Sequence, residues 1–234
     1  MGQINREIPK ESGMMNTNEI VLDIADQRRK LEMLAVAGTG AGKLFFMDYL
    51  QWIVPFLAVS IIGWTMYIYR RWKAAPNITD YWGYRRDNLR KVFVKLMPFG
   101  FLAIFAFFGI GYWQGTINIT WHIIPILLLY PIWGLIQQFL VMSLFAGNLK
   151  DSSSYNYSDK VIILLTAILF AIVHYPYNWL IAGTFILALV YGYIFLRERN
   201  LYALGLFHGW LGGVFYYTVM TRDPWLAMMG SVGF

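Results

Sequence analysis

The chain has 234 residues, of which 58% are hydrophobic, 18% aromatic and only 14% charged, with a mean hydropathy of +0.49. That composition reads as an integral membrane protein of one compact domain, with apolar runs long enough to cross a hydrocarbon core about 30 Å thick several times, and leaves no room for a second globular domain. The formal charge of +6 is gathered in basic clusters beside the apolar runs, a pattern of anchoring at anionic lipid head groups that argues against nucleic-acid binding, and zero cysteines exclude disulfides, thiolate metal sites and cysteine nucleophiles.

Residues 1–43 are polar and mixed in charge, starting with Arg6, Glu7, Lys10 and Glu11, so no cleavable signal peptide is expected. From about Asn18 to Val36 the apolar residues Ile20, Val21, Ile24, Leu31 and Leu34 recur at roughly helical spacing. Glu19, Asp23 and Asp26 come early and Arg28, Arg29 and Lys30 late, the order that complements a helix dipole. This predicts an amphipathic helix lying on the membrane or on the bundle, a docking element for a partner being the sharper alternative. The stretch from Ala37 to Leu44, with Gly38, Gly40, Gly42 and Lys43, looks like a phosphate-cradling loop. It lacks the first glycine and the closing hydroxyl of such loops and follows a helix, so it reads as a flexible linker.

Six spans are expected, at about 45–69, 92–113, 120–145, 160–176, 179–196 and 201–220, which makes residues 44–220 an all-α polytopic bundle followed by a short tail at 221–234. Arg70, Arg71, Lys73, Arg85, Arg86, Arg90 and Lys91 form the strongest cationic loop, so the positive-inside rule turns it to the cytoplasm. Alternation then puts Lys150, Lys160, Arg197 and Arg199 on the same side. It also puts the polar tail outside, unless the first apolar run re-enters, and sets Gln137 and His174 toward opposite faces.

Gln137 and Gln138 fall inside an apolar span, where an unpaired amide costs roughly 2–7 kcal/mol, so the pair must point into the bundle toward a cavity or a polar partner. Gly205, Gly209 and Gly213 form a flat stripe at a spacing of four, and Ala188 and Gly192 offer a matching surface on the fifth span, so these two helices are expected to pack with His208 beside the contact. His174 ends the fourth span. Two intramembrane histidines and two glutamines thus define a candidate site.

The stretches from Trp133 to Met142, from Phe170 to His174 and from Leu201 to Gly212 resemble the CPBP family, the CAAX prenyl endopeptidases and bacteriocin-processing intramembrane proteases, over roughly 80–220. The resemblance implies a helical intramembrane peptidase of a prokaryotic cytoplasmic membrane, in which a Glu-Glu-x-x-x-Arg motif and histidines activate water. In this chain Gln137 and Gln138 stand where the family has its glutamates, Met142 where it has the arginine, and Gly212 where Asn often follows the last histidine; His174 and His208 match. A carboxylate acting as general base supplies typically 10²–10⁴ in rate, and a neutral amide has no comparable basicity. Asp48, Asp151, Asp159, Glu198 and Asp223 all lie at or beyond span ends.

The expectation is therefore a non-proteolytic, pseudoprotease-like binding or scaffold protein, whose partners are membrane lipids and a membrane-anchored protein or lipid-modified peptide. The alternatives are an active peptidase with His174 or His208 as base and an accessory subunit of a larger membrane complex. No cofactor is expected. Zinc would need a third histidine or a carboxylate, and His122 lies near the other end of its span from Gln137, while a haem held between His174 and His208 has no further support.

Overall fold

The computed structural model describes residues 25–226, and these are helical with no strand among them. Helix α1 (Asp26–Gly42) continues as π-helical turns over Lys43–Tyr49. Helix α2 (Ile53–Ala74), the short α3 (Ile78–Trp82) and α4 (Leu89–Gln114) follow. Helix α5 runs over Ile123–Asp151, its middle Phe139–Gly147 being π-helical, and is followed by α6 (Asp159–Ile172), α7 (Asn178–Glu198) and α8 (Leu201–Thr218).

Helices α2, α4, α5 and α7 are long and apolar enough to cross a membrane. With 14 residues α6 reaches only about 21 Å, short of the hydrocarbon core, and α8 is largely buried among the others. The first expected span divides: its opening residues belong to the π-helical end of α1, and α2 begins at Ile53. The stretch expected to be a flexible linker is helical through Gly42 because both sides of it are in contact. A Cβ on Gly40 would lie 2.7 Å from Val173, and one on Gly42 would lie 2.8 Å from Phe56. The earlier part of the expected amphipathic helix, with Ile20, Val21 and Ile24, lies outside the described residues.

The glycine stripe of α8 packs against α5 and not, as expected, against Ala188 and Gly192 on α7. A Cβ on Gly209 would stand 2.3 Å from the Pro131 nitrogen, one on Gly205 2.7 Å from the Leu135 Cα, and one on Gly134 of α5 2.5 Å from the Gly205 carbonyl oxygen. Glycine on both helices lets the backbones touch, and Pro131, which has no N–H, presents a smooth surface to Gly209. Gly192 meets Ile163 instead, in the hairpin of α6 and α7.

At the end of the bundle that carries the basic loop, buried charges are paired. Arg29 donates to the Tyr81 hydroxyl, which donates to Asp151 at 2.7 Å, and Arg199 bonds to the same carboxylate. Glu32 accepts from Tyr67 and, at 2.6 Å, from Asn148, with Arg71 at 3.9 Å. Burial and the Asp151 charge push the Tyr81 hydroxyl up to about 12, so it remains a neutral donor. This network fixes α1 to α2, α3, α5 and the start of α8.

The far end is held by Asp223, which accepts from Tyr217 at 2.8 Å and Thr120 at 3.1 Å and lies 2.6 Å from His122 Nδ1. Burial would raise its carboxyl, but the hydrogen bonds from His122, Tyr217 and Thr120 prevail and hold it at about 2. A depressed folded-state value stabilises above the ordinary 3.8 and loses that contribution as pH falls toward about 2. Thermal midpoints in detergent should therefore drop between about pH 4 and 2 more steeply for wild type than for Asp223→Asn; equal slopes would show that Asp223 carries no such linkage.

The seam between α5 and α8 predicts a contrast between two neighbouring positions. Gly209→Ala drives a methyl into the Pro131 backbone and should destabilise by about 1–3 kcal/mol. Gly212→Ala meets only the Tyr130 ring at 3.6 Å and should leave the detergent-unfolding midpoint nearly unchanged.

Candidate functional site

The seam sets the first half of the site. One turn beyond Gly134, the side chain of Gln138 is wholly buried, and its amide Nε2 donates to His208 Nδ1 at 3.0 Å. That bond leaves the imidazole proton on Nε2 and makes the contact one between two neutral groups. Gln138 Oε1 is buried with no hydrogen-bond partner among the described residues, so the amide retains unused acceptor capacity.

The second half opens on a cavity of about 250 Å³ between α1, α2, α5 and α6. Gln137, on the adjacent face of α5, lines it together with His174, Thr39, Lys43, Ser60 and Trp64, the rest of the wall being apolar. His174 Nδ1 donates to the Phe170 carbonyl at 2.7 Å, one turn back along α6, which leaves Nε2 as the acceptor. The Phe170 ring touches both imidazoles, with centroids 5.0 Å from His174 and 5.6 Å from His208.

All four expected residues therefore meet, Gln138 directly with His208 and Gln137 with His174 across one cavity. The expected opposition of Gln137 and His174 disappears because depth is measured from the connection between α5 and α6. Each stands roughly four turns from it, α6 being short and α5 long. The π-helical turns that begin at Phe139 turn seven of the next nine residues inward. Met142 is among them, fully buried in the apolar core where the family has its arginine. Gly212 lies against Tyr130.

Among the described residues no carboxylate hydrogen-bonds either imidazole, and no group of three His, Asp or Glu converges. Lys43 lines the cavity and is paired at 2.6 Å with Asp48, its Nζ lying also 3.4 Å from the Tyr175 carbonyl beside His174. These two, and Thr39, were not expected at the site. The available signal was the spacing of Glu32, Val36, Thr39 and Lys43, which share one helical face pointing inward.

Such a fold and site define an integral membrane bundle with a buried, uncharged amide and imidazole pair beside a mostly apolar chamber. Residues 118–214 match the family model described as type II CAAX prenyl endopeptidase Rce1-like. That stretch holds Gln137, Gln138, His174 and His208, so the likeness to the CAAX prenyl endopeptidases stands over the second half of the bundle, a narrower reach than the motifs implied. No curated protein and no solved structure matches the chain.

The buried pair carries its own prediction. Gln138→Ala removes the donor from His208 Nδ1 and leaves a buried acceptor unpaired, at a cost of about 1–3 kcal/mol in detergent unfolding. The double variant with His208→Ala should cost less than the sum of the two single changes, since they share one interaction.

Proposed function

We propose that the protein is a CAAX-protease-like membrane protein that binds a membrane-anchored protein or lipid-modified peptide at this site without cutting it. The observation that carries this reading is the neutral hydrogen bond from Gln138 to His208 where the family's chemistry requires a carboxylate. Hydrolysis needs a group that takes a proton from water as the new bond forms, and an amide does not. Met142 supports the same reading, because a lone arginine at that depth without carboxylates would cost on the order of 2.5–3.5 kcal/mol or more. The loss of charge is thus matched on both sides of the motif. A prokaryotic cytoplasmic membrane as the setting follows from the same resemblance.

A second observation favours the competing reading enough to state it. His174 lines the chamber, and with Nδ1 donating to the Phe170 carbonyl its Nε2 is the acceptor that a general base requires. Purified protein in liposomes, offered a membrane-anchored prenylated peptide, separates the two. Wild type should retain the peptide and leave it intact, and the triple variant Gln137→Glu, Gln138→Glu, Met142→Arg should cleave it. Cleavage by wild type that His174→Ala abolishes would overturn the binding reading in favour of histidine-centred hydrolysis.

A further inference from the structure

We infer that α1 with its π-helical end is inserted in the bilayer, its outward stripe facing lipid hydrocarbon, and that its amino end lies on the side of the basic loop. The inference is independent of whether the site binds or cuts.

Contacts tie the two ends of α1 to the two ends of α6. Asp26 accepts from Ser153 Oγ at 2.5 Å and from Ser154 Oγ at 2.8 Å, at the connection that leads into α6. At the other end Gly40 abuts Val173, and Lys43 reaches the Tyr175 carbonyl beyond the end of α6. The neighbouring α2 runs antiparallel: Arg71 pairs with Glu32, Trp64 Nε1 donates to Thr39 Oγ1 at 3.2 Å, and Phe56 covers Gly42. Since α2 is a candidate span, α1 occupies the same range of depths. The 17 residues of α1 and the seven π-helical ones extend about 35 Å, enough for the hydrocarbon core.

The distribution of polarity decides the surroundings. A helix resting at an interface turns its charged side to water and its apolar side to the protein or membrane. In α1 the arrangement is reversed: Arg29, Glu32, Thr39 and Lys43 point inward and are bonded, while Leu31 and Leu34 are 59% and 67% exposed, with Ala35, Gly38 and Ala41 completing the outer stripe. The outward side of α2 is likewise apolar, with Val59, Ile62 and Met66 exposed. A surface apolar without and polar within is the requirement of hydrocarbon, not of water.

The absence of cysteine from the sequence makes the test direct. In sealed vesicles, Leu34→Cys and Gly38→Cys should resist a membrane-impermeant maleimide from both sides and react with a membrane-soluble one. Gln27→Cys should react with the impermeant reagent from the side on which Arg86→Cys reacts. Gly38 has nothing within 4 Å of a Cβ, so its replacement should fold, and a disulfide between Gly40→Cys and Val173→Cys would register α1 against α6 separately. Reaction of Leu34→Cys with the impermeant reagent would return α1 to the membrane surface, and resistance of Leu34→Cys and Gly38→Cys to both reagents would mean that protein, not lipid, covers the stripe. Either result overturns the inference.

Discussion

Backbone contact between α5 and α8 is the constraint on which the site depends. Two helices carrying ordinary side chains stand 8–10 Å apart, a separation at which a glutamine and a histidine one turn from the contact need not meet. Here Gly134, Gly205 and Gly209 remove the intervening Cβ atoms, and Pro131 removes an N–H. The resulting closeness excludes lipid and water together, so the amide of Gln138 has His208 as its hydrogen-bond partner. The glycines have no chemistry of their own, yet they decide which polar groups face each other.

Within that contact the sign and size of charge matter more than hydrogen-bond count. A carboxylate and an arginine at these positions would each demand a counter-charge in a medium that screens poorly, and the set would hold only if complete. The chain instead has two amides and a thioether, each neutral, and the core closes over Met142 without a partner. Charges are concentrated at the end of the bundle beside the basic loop, where Asp151 serves Arg29, Tyr81 and Arg199 together and Glu32 serves Tyr67, Arg71 and Asn148.

Much of this was legible from residues alone. Amides inside an apolar run announce a buried site because lipid offers no alternative partner, and glycines at a spacing of four announce a close helix contact. The partner of that contact was not legible, since the small residues of α7 fit the stripe as well on paper as Gly134 and Pro131 do. The place of α1 was hidden for a different reason. Its charges resemble those of an interfacial helix, and only the positions of Tyr67, Tyr81, Asn148 and Asp151, distant in sequence, show that they are consumed inside the protein. The relative depth of Gln137 and His174 escaped because alternation treats every span as a full crossing, whereas α6 has only 14 residues.

The chamber is assembled from two parts of the chain with different kinship. Gln137, Phe170 and His174 come from the stretch that matches the endopeptidase model, whereas Thr39, Lys43, Phe56, Ser60 and Trp64 come from before it. The wall that faces Gln137 and His174 is therefore supplied by an amino-terminal hairpin outside the matched stretch, so likeness over residues 118–214 does not by itself fix the shape or polarity of the chamber.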